Sequence, residues 1–281
     1  MNGGVTIKVA LIGLGTTGNI VAEYLYNENV LSMVLCRETS SIAGQDLGQV
    51  LHRPYMGIPI ETTAELLTKL QKYKPDVLID FSGPGFLREH LATLAKCRIN
   101  VVTAVTGYSQ MDIKRIKVQA RKQRIGVVAA PNITFGVNIV LMMAQLAAQL
   151  QSDYDFEIIE ENHRNKKDSP SGTAEKIAKA ITSILDKAKE GDNSIPIHSI
   201  RAGDIAGRHK VLVCGKYDQI EITHTAFSRV AFAEGAYKAA RFIQKRVGFY
   251  EMKDVFSTAR SAHLHEQGHN ADIAVPSGIY S

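Results

Sequence analysis

Residues 161–176 read ENHRNKKDSPSGTAEK and concentrate more reactive chemistry than any other stretch of the chain. Ser171, Gly172 and Thr173 follow Pro170 and open a helical pattern, so their N–H groups and hydroxyls could hold an anion the size of a carboxylate or phosphate. Lys166 and His163 lie just upstream, close enough to face the same ligand. Such a lysine offers a cation for a second carboxylate and a proton to donate. A histidine, with an unperturbed pKa of about 6.5, suits acid–base work. The same residues also suit a Ser/Thr-capped helix behind a solvated basic loop, and the stretch alone does not separate the two readings.

A second constellation opens the chain. Gly13, Gly15 and Gly18 stand in G-x-G-x-x-G spacing within VALIGLGTTGNIVAEYL, directly after a strand pattern and at the start of a helical one. That context makes the glycines a dinucleotide turn. Gly13 permits the tight bend, Gly15 the approach of backbone to a pyrophosphate, and Gly18 close packing of helix on strand, with Thr16 and Thr17 at the helix start. The ribose-reading residue is expected about 20 positions later. Here the second strand ends Cys36-Arg37-Glu38, followed by Ser40 and Ser41. Arg37 can pair with a 2′-phosphate, which favours NADPH over NADH; the alternative is an arginine that merely faces solvent.

These residues need elements to hold them. Apolar β-branched runs at 7–13, 30–36, 76–82, 100–107 and 125–132 alternate with helical patterns at 16–28, 63–73, 85–97 and 109–123. Continuous apolar strands of this kind predict a parallel sheet covered on both faces, an α/β fold of the Rossmann type. Beyond it come a long apolar helix (135–150), a strand with one polar face (154–163), an amphipathic helix (171–190) and three segments within 198–227 at hairpin-like spacing, which suggest antiparallel strands. The second region therefore reads as an α+β domain with an open sheet, and 234–247 is helical again.

Composition narrows the function classes. A chain of 281 residues with 45% hydrophobic content suits two domains, and a net charge of +5 suits an anionic ligand. No Lys/Arg run is interleaved with aromatics, so nucleic acid is not an expected partner. The three cysteines, Cys36, Cys97 and Cys214, are far apart, which argues against disulfides or a zinc site and fits a reducing cytoplasm. The N-terminus lacks a signal-peptide pattern, and no apolar run approaches the roughly 18 residues of a membrane span. The tail from 257 to 281 carries His263, His265 and His269 without a convincing metal spacing, so no metal is expected.

HRNKKDSPSGTA, taken with GLGTTG, DFSGP (80–84), TAVTG (103–107), PNITFGVN (131–138) and RAGDIAGRH (201–209), resembles the dihydrodipicolinate reductase family from about Ile7 to Val255. The resemblance implies NAD(P)H at the glycine turn and hydride delivery to a cyclic unsaturated dicarboxylate in lysine and diaminopimelate synthesis. It implies that Ser171, Gly172 and Thr173 hold one carboxylate, that Lys166 assists protonation, and that His163 contacts substrate. Phe81 and Ser82, beside Asp80, would line the nicotinamide with Thr106, next to Gly107, and Asn132; Thr106 would also touch substrate. It further implies a cofactor domain of about 1–132 and 236–256, a substrate-binding and tetramerisation domain of 133–235, and a homotetramer. Besides the tail after about Ser257, which lies beyond the family's normal end, two stretches depart from the family pattern. Asn162 stands where the family's general-acid histidine is expected, and Ala104-Val105 replaces one polar contact of a G-T-T-G loop. Asn cannot release a proton near neutrality. His163 or Lys166 then supplies the proton, or the substrate is a different cyclic imino acid, or the chain has become a silent NADP-binding regulator.

Overall fold

The structure, a computed structural model, describes residues 7–188 and 193–256. In chain order its elements are β1 (Val9–Ile12), α1 (Thr16–Asn27), β2 (Leu31–Cys36), α2 (Leu47–Val50), β3 (Ile60–Thr62), α3 (Leu66–Tyr73), β4 (Val77–Asp80), α4 (Pro84–Lys96), β5 (Asn100–Thr103), α5 (Gln110–Lys122) and β6 (Gly126–Ala129). There follow α6 (Phe135–Leu150), β7 (Asp155–Asn162), α7 (Gly172–Ala188), β8 (Ile197–Arg201), β9 (Arg208–Cys214), β10 (Gln219–Thr225), α8 (Val230–Ile243) and β11 (Gly248–Glu251).

Seven strands form one sheet in the order β11-β6-β5-β4-β1-β2-β3, with every pairing parallel. Successive residues of β1 point to opposite faces, and each face is buried. Val9 and Leu11 pack with Val21 and Leu25 of α1 and with Ala236 and Ala239 of α8. Ala10 and Ile12 pack with α3, α4 and α5 through Leu70, Leu91 and Ile116. Burial on both sides is why these strands are apolar throughout rather than alternating. The small residues of α8 let it lie close: a Cβ at Gly235 would strike the carbonyl oxygen of Ile133.

A second sheet has the order β10-β9-β7-β8. β7 pairs antiparallel with β9, and β9 with β10, but β8 runs parallel to β7 on its other edge. The antiparallel expectation is thus corrected for β8. The connection from β8 to β9 is not a hairpin, because β7 lies between them. One face of this sheet packs under α6 and α7, where Phe156, Ile158, Val211, Val213 and Ile222 meet Val140, Ala144, Ile177 and Ile181. The other face is charged and pinned across strands by Glu157–His198, Glu161–Arg208 and Lys210–Glu221 pairs at 2.6, 3.2 and 2.8 Å. α6 keeps a second apolar stripe in the open, including Met143, Leu146 and Leu150. No helix among the described residues is long and apolar enough to cross a membrane.

Candidate active site

The glycine turn links β1 to α1 at the carboxyl ends of the parallel strands. Gly13 has φ +100°, and a Cβ there would lie 2.6 Å from the carbonyl carbon of Phe81. A side chain at Gly18 would run into the carbonyl oxygen of Gly13, while nothing lies within 4 Å of a Cβ placed on Gly15. Nothing in the fold itself therefore requires a glycine at position 15, and the space above it is free for a ligand. α1 begins without a side-chain cap and without an acid in its first turn, so its N–H groups remain available to an anion. A cavity of about 640 Å³ beside this turn is lined by Gly13, Gly15, Arg37, Ser40, Phe81 and Ser82. These features fit a dinucleotide: bare backbone lies where a pyrophosphate could approach, and an exposed guanidinium stands past the end of β2. Thr16 is exposed at the first residue of α1 and lines neither this cavity nor its larger neighbour.

That neighbour, about 1050 Å³, lies between the two sheets and begins at Thr17. It brings together Thr106, Asn132, His163, Lys166 and the Ser171–Thr173 turn, which are spread over 68 positions of sequence. Lys166 Nζ pairs with Asp168 Oδ1 at 2.8 Å. Thr173 Oγ1 donates to Asn132 Oδ1 at 3.1 Å, which fastens the start of α7 to the loop after β6. Ser171 caps α7: its Oγ accepts from the Ala174 N–H at 3.2 Å, and its own N–H donates to Glu160 at 3.2 Å. Ser171 is thereby buried, and Gly172 and Thr173 are the accessible part of the turn.

Beneath the turn lies a buried charge cluster. On β7, Phe156, Ile158, Glu160 and Asn162 all face inward. Glu160 has no exposed surface, and its carboxylate accepts from Asn162 Nδ2, the Ser171 N–H and Arg201 Nη2, the last at 2.6 Å. Burial pushes the Glu160 pKa up, but the Arg201 hydrogen bond and its companions outweigh it and the group stays ionised. Asn162 is thus tied by its amide to Glu160.

Two histidines missed in the sequence reading also line the cavity. Burial pushes the His209 pKa down to about 4, so the ring is neutral at pH 7. Its Nε2 lies 3.5 Å from Ser171 Oγ and its Nδ1 has no partner. His224 packs against the backbone of Gly136, is also lowered by burial, and has an unpartnered Nδ1. Asn132 Nδ2 is a third buried polar atom on this wall without a partner. Orphaned buried polar atoms are uncommon, and three of the seven among the described residues belong to side chains that line this one cavity, where a polar ligand could satisfy them. His209 sits within RAGDIAGRH, so the motif was visible although the ring's direction was not.

Asp80 closes β4 under the cofactor cavity. Burial raises its pKa to about 6, against hydrogen bonds from Ser82 Oγ (2.6 Å), the Ser82 N–H (2.8 Å) and Thr103. A carboxyl raised from 3.8 contributes stability that is complete below about pH 3.8 and lost as pH rises through about 6. Melting curves between pH 4 and 7.5 should therefore show wild type losing about 2 kcal/mol relative to Asp80→Asn. A difference between the two proteins that does not change with pH contradicts the raised carboxyl.

Among the described residues no group of three His, Cys, Asp or Glu could hold a metal; His263, His265 and His269 lie outside the described residues. A parallel sheet with this glycine turn, joined to a polar cavity over a second sheet, defines an NAD(P)H-dependent oxidoreductase. The chain belongs to the dihydrodipicolinate reductase family. Residues 7–133 match the family model described as dihydrodipicolinate reductase, N-terminus, and residues 136–256 match that for its C-terminus. The chain is 37% identical over 260 residues to a 4-hydroxy-tetrahydrodipicolinate reductase of Methanosarcina acetivorans, covering 89% of this chain and 98% of that one. It is 36% identical to the enzyme of that name from Herminiimonas arsenicoxydans, covering 89% and 97%. A dipicolinate-bound dihydrodipicolinate reductase from Paenisporosarcina superposes with a TM-score of 0.73 at 25% identity, covering 88% of this chain and 98% of that one.

Proposed function

We propose that this chain reduces 4-hydroxy-tetrahydrodipicolinate to tetrahydrodipicolinate in lysine and diaminopimelate synthesis, in the cytoplasm, with NADPH preferred and NADH usable. The observation that carries this reading is the set of unpartnered buried atoms, Asn132 Nδ2, His209 Nδ1 and His224 Nδ1, on a cavity that also holds Lys166 and adjoins the glycine turn. Bound NAD(P)H supplies the hydride. Gly13, Gly15 and Thr17 would hold the dinucleotide, with Gly18 closing the turn and Thr16 offering its N–H at the head of α1, and Phe81, Ser82, Thr106 and Asn132 would border its nicotinamide end. Thr173 and the first turn of α7, set by Gly172 and Ser171, hold one carboxylate of a cyclic dicarboxylate. Lys166 binds at the reacting side and gives up the proton that accompanies reduction. His163, half-buried on the same wall, contacts substrate and is the second proton source.

Arg37 is the reason for preferring NADPH: it is exposed on the cavity wall one residue past β2 and has no acidic partner among the described residues. Arg37→Ala should weaken NADPH binding about tenfold and NADH binding hardly at all; equal losses in a fluorescence titration remove the basis for the preference. The open apolar stripe of α6 and the charged outer face of the second sheet support a homotetramer built through the second domain (133–235), with 1–132 and 236–256 as the cofactor domain.

Asn162 favours a second reading, a relative that reduces another cyclic imino acid, because its amide is held by Glu160 and cannot act as an acid. NADPH oxidation with fresh 4-hydroxy-tetrahydrodipicolinate decides between the two. Robust wild-type turnover, changed less than about tenfold by Asn162→His, supports the first. No wild-type turnover, with activity gained on installing the histidine, means that the scaffold still binds this substrate and that the natural one differs or has been abandoned.

A further inference from the structure

At the opposite end of the parallel strands from the glycine turn, an open cavity of about 740 Å³ is walled by the segments that lead into β4, β5, β6 and β11. Lys74, Lys96, Arg98, Arg124 and Lys245 ring it. All five are exposed, and none has an acidic partner within ion-pair distance among the described residues. The one acid on the wall is Asp76, which accepts the Lys8 N–H.

Four of these cations share a second property. Lys74, Arg98, Arg124 and Lys245 have φ of +50°, +57°, +55° and +58°, each just after a helix end. Glycine is the usual residue there, since a Cβ in the left-handed region is strained. Across the described residues seven non-glycine positions have positive φ, and the four that are Lys or Arg all stand on this one wall. Favourable placement of cations at helix C-termini explains their sign. It does not explain why a long side chain occupies the strained position itself, four times, around a shared concavity. The floor is firm: Asn100 Nδ2 donates to the Ile243 carbonyl and Asn100 Oδ1 accepts from the Gly126 N–H, both at 2.7 Å, which joins β5, β6 and the end of α8.

We propose that this cavity is a binding site for a small multivalent phosphate anion, separate from the cofactor and substrate cavities. The turns set four cations, with Lys96, around one concavity, so a chain of phosphates can meet several charge-assisted hydrogen-bond donors at once. A free polyphosphate and the triphosphate tail of a nucleotide share this chemistry.

The test uses the full-length enzyme saturated with NADPH, so that the dinucleotide cavity is filled, titrated with tripolyphosphate and separately with ATP in a calorimeter. One saturable site per chain is expected, weakening with added salt. Arg98→Gly combined with Arg124→Gly should raise its Kd at least about tenfold, with NADPH oxidation unchanged. Lys245→Asn, which keeps a residue tolerant of the left-handed turn, should act in the same direction and serves if the double variant does not fold. Equal affinities for the two probes point to the phosphates alone; tighter ATP binding that the same variants weaken points to a nucleotide. Absence of saturable binding, or binding equal in wild type and both variants, overturns the proposal.

Discussion

Lys166→Ala should lower kcat/KM about 10²–10⁴-fold while leaving the Kd of NADPH within about twofold of wild type. Lys166 reaches the cavity from the loop between β7 and α7, whereas the glycine turn lies across the cavity on the other sheet. The two should therefore be separable. Thr173→Ala is expected to do the same through a different bond, because on the proposed reading the hydroxyl that fastens α7 to Asn132 would turn its proton to the substrate carboxylate instead. Its loss should fall partly on KM, while that of Lys166 falls mainly on kcat, since a proton donor acts chiefly in the transition state. Stopped-flow oxidation of NADPH with parallel fluorescence titration of the cofactor reads both parameters. Wild-type rates in both variants would sink the assignment of the site.

The second large effect is on stability. Arg201→Ala strips the cation from Glu160, whose side chain is wholly inaccessible, and leaves a buried carboxylate with only neutral donors. Removing one member of a buried pair typically costs about 3–5 kcal/mol. At about 2–4 °C per kcal/mol for a chain of this size, the melting point should drop by roughly 6–20 °C. Arg201 Nη2 also donates to the Asp168 carbonyl at 2.7 Å, so the loop carrying Lys166 should loosen with it. The double variant Glu160→Gln, Arg201→Met is the informative control: with the charge gone as well, most of the stability should return. A single variant that melts within about 2 °C of wild type contradicts a buried ionised Glu160.

The parallel sheet was legible because its inner strands are apolar on both faces: VALI, LSMVLC, VLID and GVVA are each recognisable runs. β3 and β11 were not found. At three and four residues they are sheet edges, and GFYE carries only one buried residue, so neither presents a run long enough to register. The direction of β8 was illegible for another reason. Spacing limits which strands can join by a hairpin, but not which edge of β7 an unjoined strand chooses. In the site, Gly13, Lys166 and Thr173 announced themselves through local motifs. Glu160 and Arg201 did not, because they stand 41 positions apart and each alone looks like a surface charge. His209 was hidden similarly, since period-2 patterning shows that alternate residues share a face but not which face is inside.

The return of α8 and β11 to the first sheet bears on biosynthesis. The chain leaves that sheet after β6 and completes it only with Gly248–Glu251. At about 5–20 residues per second, a ribosome needs on the order of ten seconds to make the intervening stretch. During that interval β6 is an unpaired edge, and Val128 and Val102 await the alanine-rich face of α8. The nascent amino-terminal half should then expose an open strand edge and apolar surface, so that its solubility is expected to depend on how promptly translation finishes. Truncated messages of this gene should for that reason yield aggregates rather than free cofactor domains, and slow codons between β6 and α8 should be poorly tolerated.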